Sequence, residues 1–286
     1  NKAVGTLFLN GVSTRKLKTL TKNLLGNEVS PTTVSHIAGH LADEDIKQFQ
    51  DKPLKDEYRF LFFDGISTKV REIGVERQVL LCGLGIKLDG TKEIIGARLS
   101  DGEGAKDWEA FLIDIKSRGL KGKKLELITI DGCPGLKKAL KTIYPYKKIQ
   151  RCIAHKLRNV AGKLKRSCQK TCMSECKQIF AASSRQVAIK KFKEWQIKWE
   201  IQAEAAVKCL AKDLYECLTY YDFEKSLWKK IRTTNILERS FREVRRRTRP
   251  MSIAIPPDST ERLFGSIAKG LNTNWLNHPL KFTQKS

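Results

Sequence analysis

Along the first fifty positions, apolar residues return with the spacing of an α-helix. Leu17, Leu20 and Leu24 stand at i, i+3 and i+7 behind Ser13, a residue type that caps helix N-termini, and Gly26-Asn27 interrupts the run. Ser30-Pro31 then supplies a second cap and a first-turn proline, and Val34, Ile37 and Leu41 repeat the spacing. Residues 1–50 therefore read as helical, with two short helices joined by a tight turn.

From Tyr58 the pattern changes to short apolar runs of strand type. Tyr58-Arg59-Phe60-Leu61-Phe62-Phe63 ends at Asp64-Gly65. Gln78 to Ile86 follows, then a hairpin turn at Leu88-Asp89-Gly90-Thr91 and a third strand from Glu93 to Leu99. Asp107 to Arg118 is predicted helical, with Trp108, Phe111, Leu112 and Ile115 on one face and Gly119 as its stop. Leu125 to Ile130 is a fourth strand that, like the first, ends at Asp-Gly, here Asp131-Gly132; Pro134 to Ile143 is helical and Lys148 to Ile153 is a fifth strand. Three antiparallel strands followed by α/β alternation predict an α/β fold. Its mixed five-stranded sheet with helices on both faces is the ribonuclease H-like arrangement. From Ala154 to Trp228 the pattern is helical throughout, with Trp195 and Trp199 at i, i+4, and a further helix from Asn235 to Arg247 returns to the sheet. The expected organisation is a helical region over 1–50, a first part of the core over 57–160, a helical insertion over 161–230 and a second part of the core over 231–286.

Charge narrows the functional classes. The 286 residues carry 55 Lys or Arg against 31 Asp or Glu, a net charge of +24, while 41% hydrophobic residues suffice for a core. Such a surface attracts polyanions, nucleic acid first, because phosphate neutralisation releases counterions. No stretch approaches the roughly 20 apolar residues that cross a bilayer, and no signal segment opens the chain. The eight cysteines are too sparse for a disulfide scaffold, so reduced thiols in the cytoplasm are expected. The chain opens on Asn1 rather than Met and is expected to be a fragment.

With that charge, the N-terminal helix pair has the outline of a helix-turn-helix, whose second helix enters the major groove. Ser30, Thr32, Thr33, Ser35 and His36 are its candidate DNA contacts; an ordinary helical hairpin fits the same spacing. His36 and His40 stand at i, i+4, but no Glu follows His36 and no third ligand is near, so they read as surface histidines.

Asp64 and Asp131 each end a strand and precede a glycine. Carboxylates at strand ends, where loops diverge, can hold hard divalent cations that share their shell with phosphate. Asp-Gly is also a common turn, and the two readings compete at each position. Glu238 is the candidate third ligand, with a rival role as the glutamate of a capping box on Asn235. Cys152 and His155 form a C-x2-H pair with Cys168, Cys172 and Cys176 downstream; buried free cysteine is the commoner meaning, so zinc is not expected and the pair is assigned a structural or DNA-proximal role. Arg239, Arg242, Arg245, Arg246, Arg247 and Arg249 run along and beyond the Glu238 helix and are expected to meet phosphate, with Arg242 and Arg246 also placed to hold Glu238.

Several segments together resemble the Mutator-type transposases of bacterial insertion sequences. They are Gly11-Val12-Ser13-Thr14-Arg15, Asp64-Gly65-Ile66-Ser67-Thr68-Lys69-Val70-Arg71 and Asp131-Gly132-Cys133-Pro134-Gly135-Leu136, followed by Arg151-Cys152-Ile153-Ala154-His155-Lys156-Leu157-Arg158-Asn159 and Thr233-Thr234-Asn235-Ile236-Leu237-Glu238-Arg239. The resemblance is ordered along nearly the whole chain. It implies that Asp64, Asp131 and Glu238 are a catalytic, metal-holding acidic triad, with Mg2+ as cofactor and Mn2+ able to substitute. It further implies cleavage at transposon ends and strand transfer by a 3′-hydroxyl. The implied partners are double-stranded DNA, as terminal inverted repeats and target, and a second copy of the chain, in the bacterial cytoplasm at the nucleoid. Lys69, Arg71 and Arg158 within these segments are further candidate DNA contacts. The aromatic usual three residues after the first aspartate is Ser67 here, and the serine usual before the second is Ile130. A non-catalytic DNA-binding protein derived from a transposase is the competing reading, and a general metal-dependent nuclease a third.

Overall fold

A computed structural model describes residues 2–9, 12, 14–71, 75–248 and 257–280, with side chains throughout most of them. Three helices open the chain: α1 (Lys2–Leu9), α2 (Thr14–Leu25) and α3 (Pro31–Gln50). The Ser30 hydroxyl caps α3 by accepting from the Thr33 amide at 3.0 Å, as its position before Pro31 predicts. The expected cap of α2, Ser13, lies outside the described residues. Leu17 and Val34 are buried together, whereas Leu20 and Leu24 face outward, so the predicted stripe on α2 is narrower than its spacing implies. α3 is also longer than predicted. It runs 20 residues because its second half packs on the C-terminal helix α13 (Pro257–Leu276), a partner the local pattern does not reveal.

Next come β1 (Tyr58–Arg71), β2 (Val75–Lys87), β3 (Lys92–Ser100), α4 (Ala105–Ser117), β4 (Leu127–Ile130), α5 (Pro134–Ile143) and β5 (Lys148–Arg151). They build a five-stranded sheet in the order β3-β2-β1-β4-β5, antiparallel across β3-β2-β1 and parallel across β1-β4-β5. That mixed sheet is compatible with the ribonuclease H-like arrangement. The unbroken apolar run of β1 is explained by burial on both faces. Leu61 and Phe63 pack toward Trp108, Phe111 and Leu136 of α4 and α5, while Phe60 and Phe62 face the opposite helical layer. A register shift between Tyr58 and Phe60 puts these two on different faces despite their even spacing.

Between β5 and the helix bearing Glu238 every described element is helical. These are α6 (Ile153–Ala161), α7 (Arg166–Phe180), α8 (Arg185–Trp199), α9 (Glu204–Lys212), α10 (Leu214–Cys217), a 3-10 turn (Thr219–Asp222) and α11 (Trp228–Ile231). Trp195 and Trp199 are buried in this layer, as are Cys172 and Cys176, and the Trp195 indole donates to the Cys172 carbonyl at 3.2 Å. α12 (Asn235–Thr248) then crosses back to the sheet, and α13 covers the outer edge of β3. There the Asn272 side chain bonds both the N–H and the C=O of Ile94, as a neighbouring strand would.

Candidate metal centre

Asp64 does not end its strand. β1 continues seven residues beyond it to Arg71, because β2 pairs with it along that length. What ends is the other neighbour: β4 pairs with β1 only as far as Phe63 against Ile130. Asp64 and Asp131 are thus the next residue on two adjacent parallel strands, where the sheet opens. The turn reading fails for Asp64-Gly65, which is mid-strand. Gly65 serves close approach instead, since a Cβ there would lie 2.0 Å from the Glu103 carboxylate. Asp131-Gly132 is a turn and also borders the site. Asp131 accepts from the Cys133 amide at 2.9 Å, and Gly132 takes φ +94° with the Arg151 guanidinium filling the space of a side chain.

The capping-box role of Glu238 is not made. α12 begins at Asn235, and Thr234 is the flanking residue whose carbonyl accepts from the Leu237 and Glu238 amides. This moves Glu238 past the position that could reach back to a cap. Its carboxylate turns to the sheet, where Oε1 accepts from Arg158 and lies 3.6 Å from His155 Nε2. Ligand atoms of Asp64, His155 and Glu238 all lie within 4.8 Å of one another. The holder of Glu238 is therefore Arg158 on α6, not Arg242, which is exposed and makes no ion pair among the described residues.

The C-x2-H pair brings α6 to this place. Cys152, buried, accepts from the Thr234 amide at 3.3 Å, and His155 Nδ1 is 3.4 Å from the Thr234 hydroxyl. Burial and the Arg158 charge hold His155 below the usual histidine range, so its imidazole is neutral at neutral pH. Asp64 is 3% exposed, and burial pushes its carboxyl up to about 8, aided by the charges of Asp131 and Glu238 and opposed by a hydrogen bond from Thr234. A buried carboxylate ringed by other carboxylates keeps a proton unless a cation neutralises it. The donor set, chiefly carboxylate oxygen, fits a hard divalent ion.

The other predicted contacts scatter. Thr32, Thr33 and His36 are exposed on α3, Thr33 shares a 2.8 Å hydrogen bond with Ser30, and His36 and His40 meet edge-on at 4.7 Å. The side chains of Ser35, Lys69, Arg71 and Arg246 lie outside the described residues, as do Arg249 and the side chain of Arg247. Arg239, Arg242 and Arg245 are exposed on α12. Two neighbours of the site escape sequence reasoning. Thr234 lies within a quoted segment, but as a threonine it carries no metal-binding signal. Glu103 sits in a loop without periodicity, and burial with the Asp131 charge raises its carboxyl.

A mixed α/β sheet with carboxylates converging where parallel strands open, on a strongly basic chain, defines an α/β protein with a candidate metal centre. The family model described as the Mutator family of transposases matches residues 1–278, and the chain belongs to that family. It is 32% identical over 94% of its length to the transposase for insertion sequence element ISRM5 of Rhizobium meliloti, of which it covers 67%. It is 34% identical over 96% of its length to that for IS406 of Burkholderia multivorans, of which it covers 71%. To the transposase for IS256 in transposon Tn4001 of Staphylococcus aureus it is 30% identical over 96% of its length, again covering 71%. The chain thus spans about two thirds of the length of these relatives. No helix among the described residues is long and apolar enough to cross a membrane.

Proposed function

We propose that the chain cuts and joins DNA at the ends of an insertion sequence, with Asp64, Asp131 and Glu238 as its acidic triad. The observation that carries this is the meeting of Asp64 from β1 with Glu238 from α12, residues 174 positions apart, with ligand atoms within 4.8 Å. Asp131 adds the third carboxylate, close enough for its charge to raise Asp64. These residues would hold Mg2+, or Mn2+ in its place. Two such ions supply activation of the attacking oxygen and stabilisation of the leaving one.

The chain's own residues do the rest. Asp64 is fixed by a long buried strand and by the Gly65 amide, which donates to it at 3.1 Å. Glu238 is oriented by Arg158 and flanked by neutral His155, and Thr234 ties both to Cys152. Water attacks in cleavage and a DNA 3′-hydroxyl in strand transfer, so no covalent enzyme intermediate is required. The basic surface, with Arg242 and Arg245 on the Glu238 side of α12, holds the phosphates, and the α2–α3 pair acts as the helix-turn-helix. Two element ends call for at least two copies of the chain.

The test is Mg2+-dependent cleavage of labelled DNA from the ends of the parent element, with Glu238→Gln as control. Wild-type chain nicks the end, and the variant binds the same DNA without nicking. Nicking by Glu238→Gln at the wild-type rate would overturn the assignment.

A further inference from the structure

The acidic site uses only one side of α12. At ~100° per residue, Glu238, Arg242 and Arg245 project together, Ile236, Ser240 and Glu243 face the other way, and Arg239 stands a quarter turn from Glu238 at the border of that second face. That second face lines a cavity of about 490 Å3 between α12, the start of β3 and the end of α13. Its volume falls in the range of roughly 300–1,000 Å3 usual for ligand sites.

The cavity wall carries Lys92, Lys229, Lys230 and Arg239 against one carboxylate, Glu243. Among the described residues, Lys92, Lys229 and Arg239 have no carboxylate partner. Lys92 instead stands over the Trp275 ring, 5.3 Å from its centroid. Burial and the neighbouring Arg239 charge hold the Lys92 ammonium below its ordinary value. Like charges gathered around a hollow are relieved by an anion that enters it. An indole in the same wall offers a flat apolar surface, and cations beside an aromatic plane are the combination that holds a nucleic-acid strand, phosphate on the one and base on the other.

We propose that this cavity holds a DNA strand at a second position, away from the scissile phosphate, with phosphates on Lys92, Lys229 and Arg239 and a nucleotide against Trp275. The inference rests on the reading of the chain as a DNA-cutting enzyme and extends it. One helix grips DNA on two faces, with cleavage on the first and strand retention on the second.

Two measurements test it on the 286-residue chain. The first is affinity for end DNA against salt concentration, for wild type and for the double variant Lys92→Gln/Arg239→Gln. The variant loses about tenfold in affinity at moderate salt, and its log–log salt slope falls by about 2. The second uses the unaltered chain, so it does not depend on how the variant folds: iodouracil-substituted end DNA is photo-cross-linked and the adducts are mapped by mass spectrometry. An adduct on Trp275 is expected. An unchanged slope and affinity in a folded variant, or adducts confined to other residues, overturns the cavity assignment while leaving DNA cutting intact. Wild-type chain that shows no salt-dependent affinity for DNA overturns both.

Discussion

Asp64 shows most sharply how a residue suited to metal burdens the fold. In an unfolded chain its carboxyl titrates near the usual ~3.9; in the fold it is pushed up to about 8. The folded state therefore binds the proton more tightly, and stability is lost as pH rises from the unfolded value through the folded one. Asp64→Asn, which cannot ionise, is expected to melt higher than wild type in chelator. Its advantage should be larger at about pH 8.5 than at about pH 5, while its cleavage activity is lost. Melting temperatures of the two proteins at the two pH values decide it, and an equal advantage at both would refute the buried-charge account. Added Mg2+ should narrow the gap by raising the wild type alone.

Among elements, the junction of β5, α6 and the α9–α10 turn depends on one carboxylate. Asp213 faces Lys156, whose side chain is 3% exposed, and the buried Arg151, whose Nε lies 3.7 Å away. Burial alone would raise Asp213, but the Lys156 hydrogen bond and the nearby positive charges hold it below the usual range. Its stabilising contribution is present above the unfolded value and lost as pH falls through the lower folded one. Asp213→Ala leaves buried positive charge unpaired and is expected to cost about 3–5 kcal/mol in chemical denaturation. The wild type should also loosen this junction in acid before the α4–α5 layer does. A loss under about 1 kcal/mol would show that water reaches Lys156 and satisfies it. At the other end of the chain, Ser30→Ala removes an exposed cap from α3 and should cost only about 1 kcal/mol, measured the same way.

For the whole molecule the dominant quantity is the net charge of +24. A compact body so charged repels itself, and salt or a bound polyanion relieves the repulsion. Heparin at about a hundred times its Kd is expected to add ~2.7 kcal/mol, a rise of about 5–10 °C in melting temperature. Thermal scans with and without heparin check this, and no rise would mean that the charge is spread too thinly to form a binding surface.

Much of the architecture is written in short-range pattern. The Trp108, Phe111, Leu112, Ile115 stripe of α4 is wholly buried, and α5 spans Pro134 to Ile143 as its proline and apolar spacing predict. Such features rest on local periodicity and turn chemistry, which neighbours in sequence suffice to express. Other features had no local signal. The full lengths of β1 and α3 depend on the partners β2 and α13. The orientation of Glu238 depends on Arg158, 80 residues earlier, and on a helix start one residue away from where Asn235 suggests it. The sequence by itself determined which residue types were available, among them Asp64 and Asp131, each following an apolar strand run and preceding a glycine, and Glu238 among many cations. Only the tertiary structure decided which carboxylates meet, because their convergence follows from parallel strands ending in register and from a helix crossing back over the sheet, and no local pattern encodes either.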